Sequence, residues 1–198
     1  MQATRGTSLS QQLPPPVGEA GSDGPHGMGT RSTRLVVLLF SVAALVLLLD
    51  QGSKALVVAH MPGRTPIELV GEWLRITYTR NPGAAFSVGG GWTALLSVIA
   101  IGVVVVIIRI SSRLASLPWA IALGGILGGA LGNLSDRMFR SPGPFRGYVV
   151  DWLQLPNWPV FNIADASIVC SALLMVLLSL LGISWDGSRP SSQRQPSE

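Results

Sequence analysis

The chain has 198 residues, 48% of them hydrophobic and only 12% charged, with a formal net charge of +4 and a mean hydropathy of +0.47. Soluble domains carry about 25% charged residues, so this composition points to a bilayer, and the apolar content excludes disorder over the whole length. The single cysteine, Cys170, excludes an internal disulfide framework; two histidines, His26 and His60, without HExxH or CxxC spacing point away from zinc; basic residues that flank apolar runs instead of clustering argue against nucleic acid.

Residues 1–34 are rich in Gly, Pro, Ser and Thr around Pro14-Pro15-Pro16 and are expected to be a disordered tail. Leu35 then opens an apolar run that is uncharged to Leu49, is interrupted by Asp50 and Lys54, and resumes from Ala55 to Met61. It is long, lies behind a polar tail and has no small-residue cleavage site after it, so it reads as a retained span over about 35–60 and not as a removed signal peptide. In the following connection, Trp73-Leu74-Arg75-Ile76-Thr77-Tyr78-Thr79 alternates as a strand does, and Asn81-Pro82-Gly83 makes a turn. A small extracytoplasmic β element is therefore expected over about 68–90. Further spans follow over about 92–110, 118–136 and 161–183, and residues 184–198 read as a second disordered tail. A spanning helix needs ~20 mainly apolar residues, and backbone groups in hydrocarbon must bond within their own segment. Continuous runs such as Val103-Val104-Val105-Val106-Ile107-Ile108 do not alternate as barrel strands would. The fold class expected is an all-α polytopic membrane protein of four transmembrane helices with a small β element.

Four spans put both tails on one side. The basic residues divide seven against seven between the two sides, so their number alone does not orient the chain. Arg109 and Arg113 lie in the one very short loop, where the positive-inside bias is strongest, and lean the tails towards the cytoplasm. Trp92 and Trp158 mark one interface, Trp119 and Trp185 the other.

Ionisable groups in or beside a span are costly and are functional candidates by default. Asp50 and Lys54 are spaced i,i+4 and can pair, which alone would let the first helix carry both. Asp136 and Arg140 repeat that spacing at the end of the third helix, where helix-end electrostatics explains them equally well. Asn133 and Arg137, on a neighbouring face, are better placed as donors into a cavity. Asp165 follows Asn162 by three residues, a capping-box spacing that would account for it structurally. Asp151, in Tyr148-Val149-Val150-Asp151-Trp152-Leu153, has no local cation and should be desolvated, with its pKa raised. Pro156-Asn157-Trp158-Pro159 forces a turn between Asp151 and Asp165, so the chain can fold back and bring the two carboxyls together at the mouth of the fourth helix. Two close carboxyls share a proton; one activates water and the other donates to the carbonyl oxygen, hydrolysing an amide without a covalent intermediate. The positive end of the helix favours ionised Asp165, which would start as the base, and the apolar setting favours protonated Asp151, which would start as the acid; the pair titrates as a unit, so the sequence leaves open which carboxyl holds the proton at rest. Serine chemistry fits less well: Ser53 and Lys54 are adjacent and do not face each other, and neither a GxSxG nor a GxGD motif occurs.

Five stretches together carry a resemblance to bacterial lipoprotein signal peptidase (signal peptidase II): Asp50-Gln51-Gly52-Ser53-Lys54, Arg80-Asn81-Pro82-Gly83-Ala84-Ala85-Phe86-Ser87, Gly128 through Arg137, Val149-Val150-Asp151-Trp152, and Phe161-Asn162-Ile163-Ala164-Asp165. They occur in that family's order and spacing across about residues 35–183. The resemblance implies a plasma-membrane aspartyl endopeptidase that cleaves a prolipoprotein just before its diacylglyceryl-modified cysteine. It makes Asp151 and Asp165 the catalytic pair. It places Asn81, Asn133, Arg137 and Asn162 against the substrate backbone or a globomycin-type inhibitor, and makes Asp50, Lys54 and Asp136 a supporting polar cluster. It implies four helices with both termini cytoplasmic, an active site near the extracytoplasmic face, and no metal or cofactor; a monomer in contact with membrane lipid is expected. Trp152 stands where Phe is common, and the 34-residue tail is longer than usual. A membrane subunit or small transporter would also hold intramembrane acids, but it predicts polar residues through the midplane, and the spans are too clean for that.

Overall fold

The computed structural model describes residues 26–83 and 91–187. In chain order these form α1 (His26–His60), β1 (Ile67–Val70), β2 (Leu74–Asn81), α2 (Gly91–Ser111), α3 (Leu117–Phe139), β3 (Val149–Gln154) and α4 (Ile163–Leu180). All four helices contain stretches long and apolar enough to cross a bilayer: Thr33–His60, Thr93–Ser111, Leu117–Phe139 and Ile163–Leu180. Large apolar side chains such as Leu48, Leu56, Val98, Leu173 and Leu180 stand exposed along them, which suits lipid as solvent. The polar segments 1–25 and 188–198, and Ala84 to Ser87 of the second matched stretch, lie outside the described residues.

α3 is the central helix: most of it is buried, whereas the other three are largely exposed. Its glycines explain why. A Cβ on Gly124 would lie 2.6 Å from the Leu39 carbonyl oxygen, and one on Gly128 2.6 Å from that of Ala43, so this face lies directly on α1. On the other face, Cβ atoms at Gly125 and Gly129 would strike Ser171 and the Ala164 carbonyl of α4. Small residues on both faces let one helix sit between two backbones. Leu39, Ala43, Leu123 and Leu127 fill the α1–α3 seam, to which Ile107 of α2 is added. At the other end of α3, the Trp119 indole donates to the Ile183 carbonyl (2.7 Å) and Ala115 N to the Trp185 carbonyl (2.9 Å), tying the α2–α3 loop to the end of α4.

The strands form one antiparallel sheet in the order β1-β2-β3. Register pairs Thr79 with Asp151, Arg80 with Val150 and Asn81 with Val149. Directly opposed residues share a face, so Asn81 and Asp151 point one way and Arg80 and Val150 the other. The second face packs on the end of α1, where Val57 and Met61 meet Val150, Ile76 and Tyr78. β2 coincides with the strand read from alternation. β3 was not expected as a strand: its first three residues are buried, so it does not alternate. α1 begins at His26, within the segment expected to be a disordered tail. α3 continues to Phe139, beyond the expected 136, and α4 starts at Ile163, not near 161, because Asn162 caps it.

Replacing Gly128 by Val should drive α1 and α3 apart and lower stability by about 1–3 kcal/mol. Gly102→Val, where a Cβ meets nothing within 4 Å, should cost far less. Thermal unfolding of both variants in neutral detergent micelles separates them; equal midpoints would show that the helices do not pack this closely.

Candidate functional site

The polar residues converge at one end of the bundle, where α1, α3, β3 and the start of α4 meet. Lys54 is completely buried. Its ammonium donates to Asp50 Oδ2 (2.8 Å), Asp136 Oδ2 (2.9 Å) and Asn133 Oδ1 (3.1 Å). Both expected i,i+4 pairs form, Asp50 with Lys54 and Asp136 with Arg140, the latter through Arg140 Nε at 2.6 Å. Each acid also reaches a second element. Asp50 Oδ1 accepts from Ala164 N (3.0 Å), so a residue of α1 caps the first turn of α4. Asp136 Oδ2 accepts from Val150 N (3.1 Å), which fixes β3 next to Asp151. Gln51, to which sequence reasoning gave no role, donates to the Gly132 carbonyl (3.0 Å) and to Asp50 (3.1 Å); its place between Asp50 and Lys54 was the only signal.

A lysine ammonium has donors only. Asn133 must therefore turn its oxygen to Lys54, which leaves its amide to donate to Asp165 Oδ1 at 2.7 Å. Asn162 is similarly committed. Its oxygen accepts from Asp165 N (2.9 Å) while Asp165 Oδ2 accepts from Asn162 N (3.3 Å), the capping box read from the spacing. Its amide donates to Asp151 Oδ1 (2.6 Å) and to Asn133 Oδ1 (3.2 Å). One asparagine thus touches both carboxylates. The turn at Pro156-Asn157-Trp158-Pro159 makes this possible: Asn157 adopts a positive φ of 55°, and Leu153 and Phe161 exchange backbone hydrogen bonds of 2.8 and 2.9 Å across it. From β2, Asn81 Nδ2 donates to Asp151 Oδ2 (2.8 Å), while its oxygen accepts from Gly83 N (2.8 Å). The nine residues that the resemblance assigned to the site lie in or beside this network.

Asp151 is buried in β3, and desolvation raises its pKa from 3.8 to about 6. The nearby Asp165 charge adds to the rise; the amides of Asn81 and Asn162 and the more distant Lys54 oppose it. Arg137, 9% exposed, lies within electrostatic reach of Asp151, Asp165 and Asp136, and its Nη1 is buried without a hydrogen-bond partner among the described residues. An unpaired buried donor beside two carboxylates suits a ligand carbonyl oxygen. No group of His, Cys, Asp and Glu among the described residues has a metal-binding arrangement.

Lys54→Met leaves Asp50 and Asp136 buried without their shared cation and should destabilise by about 3–5 kcal/mol, read as loss of folded protein on heating or in denaturant. A raised carboxyl pKa makes the folded state hold its proton more tightly than the unfolded chain does. Asp151 therefore favours folding below pH 4 relative to neutral pH, and this benefit is lost as pH rises towards about 6. A rise from 3.8 to about 6 corresponds to about 3 kcal/mol. The difference in stability between wild type and Asp151→Asn, followed from pH 4 to 7, should change by about that amount in the direction of a less stable wild type; a constant difference would mean that Asp151 titrates normally.

The model of the family described as Signal peptidase (SPase) II matches residues 42–181. Curated relatives named lipoprotein signal peptidase include that of Streptomyces coelicolor, 54% identical over 159 residues, covering 80% of this chain and 78% of the relative. The Streptomyces griseus protein is 53% identical over 158 residues, covering 80% and 81%, and that of Mycobacterium tuberculosis 49% over 168 residues, covering 85% and 83%. A solved bacterial membrane enzyme, determined by the in meso method at 2.3 Å, superposes with a TM-score of 0.65 at 26% identity, over 81% of this chain and 93% of that one. Another, at 1.9 Å, gives a TM-score of 0.65 at 28% identity, over 74% and 94%. The chain therefore belongs to the signal peptidase II family, the lipoprotein signal peptidases, which are membrane aspartic proteases that process the signal peptides of prolipoproteins.

Proposed function

We propose that Asp151 and Asp165 are the catalytic dyad and that the scissile amide of a diacylglyceryl-modified prolipoprotein lies between them, on the N-terminal side of its lipid-bearing cysteine. The observation that carries this reading is the contact of Asn162 with both acids, through its side-chain amide to Asp151 and its backbone N–H to Asp165. Asp165, with donors on both oxygens, removes a proton from water. Asp151, whose desolvated carboxyl holds its proton up to about pH 6, gives that proton to the carbonyl oxygen as water adds to the carbon. The tetrahedral diol then collapses: Asp165 returns its proton to the amide nitrogen, Asp151 recovers one from a hydroxyl, and the C–N bond breaks. The products are a signal peptide with a new carboxyl terminus and a lipoprotein with a free cysteine amine.

In this reading Asn133 and Asn162 orient the acids, and the unpaired Arg137 donor and Asn81 hold the substrate backbone. A globomycin-type peptide would compete for the same donors. Asp50, Lys54 and Asp136 support the site from beneath. Residues 35–183 are the peptidase unit, a multi-pass domain of the bacterial plasma membrane that acts as a monomer, with both termini in the cytoplasm and the dyad near the extracytoplasmic face. That placement lets the acyl chains stay in lipid while the peptide bond enters from the side.

Purified protein should cleave a diacylglyceryl-modified prolipoprotein and refuse the unmodified one. Asp151→Asn and Asp165→Asn should each reduce single-turnover cleavage by about 10³-fold or more while keeping the substrate bound. Processing that persists in both variants would remove the dyad from the mechanism.

A further inference from the structure

On the face of the sheet turned away from Asp151 there is a separate cavity of about 260 Å³, lined by Val58, Tyr78, Arg80, Arg140, Ser141, Tyr148 and Val150. We propose that this cavity binds the phosphate group of a membrane phospholipid, held between the guanidinium groups of Arg80 and Arg140.

Its depth favours this ligand. Val58 is in the last turn of α1, and Arg140 caps the C-terminal end of α3, so the cavity opens where two spans end together. That is headgroup depth, and the anion abundant there is lipid phosphate. The donor set fits as well. Arg80 uses Nε on the Tyr78 hydroxyl (2.7 Å), and its guanidinium carbon lies 5.7 Å from the Tyr78 ring centroid. Arg140 uses Nε on Asp136 (2.6 Å). Among the described residues, no other hydrogen bond or ion pair occupies either guanidinium, so the terminal amino groups of both are open to an oxyanion. Tyr78, having accepted from Arg80, keeps its own proton to donate, and Tyr148 and Ser141 bring two more hydroxyls. Arg140 balances Asp136, which leaves Arg80 as an exposed and uncompensated cation at the rim. Val58 and Val150 give the cavity an apolar side on which a glycerol backbone can rest. A multi-donor pocket of this kind suits a tetrahedral phosphate.

The site is wired to the dyad. Arg140 holds Asp136, Asp136 holds Lys54, Lys54 holds Asn133, and Asn133 donates to Asp165. An anion on Arg140 therefore acts on the far end of the chain of bonds that positions Asp165.

The test uses the full chain in neutral maltoside micelles, titrated separately with dihexanoyl phosphatidylglycerol, with inorganic phosphate and with uncharged dihexanoylglycerol, and read by calorimetry and native mass spectrometry. Phosphatidylglycerol should bind one per chain, about tenfold more weakly to Arg80→Gln and nearly as tightly to Arg80→Lys; dihexanoylglycerol should not bind. Arg80 is exposed, so its loss leaves the fold intact, and Tyr148→Phe provides a second, milder reduction. Inorganic phosphate that binds as well as the lipid, with the same dependence on Arg80, would identify the site as one for free phosphate and overturn the lipid assignment. Lipid binding that is absent, or unchanged in both Arg80→Gln and Tyr148→Phe, would overturn the site itself.

Discussion

The structure depends on one ammonium group. Lys54 lies in the first span with no exposed surface, and removing a cation from water costs several kcal/mol unless it is fully partnered. Three oxygens, from Asp50, Asp136 and Asn133, surround it. Two of these partners are anions that could not themselves be buried without a cation. Each then reaches beyond the lysine: Asp50 to the first turn of α4, and Asp136 to the backbone of β3. A charge that the bilayer should exclude thus ties α1, α3, α4 and the sheet together at the level of the two other acids.

The same cation imposes direction on the amides around it. Because Lys54 only donates, Asn133 presents its oxygen inwards and its amide to Asp165. Because helix α4 needs an N-cap acceptor, Asn162 presents its oxygen to Asp165 N and its amide to Asp151. Neither asparagine can flip without placing two donors or two acceptors face to face. The carboxylates are held as acceptors on a scaffold whose polarity is already decided, and the burial that makes Asp151 hard to ionise is a cost that the fold carries locally. In the proposed reaction that cost is useful, because a carboxyl that keeps its proton can act as an acid.

Much of this was legible in the sequence because it rests on short-range spacing. The spans follow from continuous apolar runs, the Asp50–Lys54 and Asp136–Arg140 pairs from i,i+4 geometry, and the Asn162–Asp165 box from a three-residue interval. The Pro156–Pro159 turn also announced that Asp151 and Asp165 share a neighbourhood. What was not legible joins segments far apart in the chain. Lys54 and Asn133 are 79 residues apart, and Asp50 and Ala164 are 114 apart; no periodicity marks such pairs. β3 escaped notice because its buried start lacks the alternation that identified β2. Gln51 was hidden by its neighbours, since a neutral side chain between two charged ones draws no attention until its partners are seen.

The proposed dyad requires one proton between two carboxyls, and single-turnover cleavage of a diacylglyceryl-modified prolipoprotein, followed from pH 4 to pH 9, tests this most directly. The rate should be bell-shaped, falling in acid as the base becomes protonated and falling in alkali at or above the pH, about 6, at which Asp151 gives up its proton. A rate that stays level from pH 5 to pH 9, with bound substrate throughout, would contradict a shared-proton mechanism.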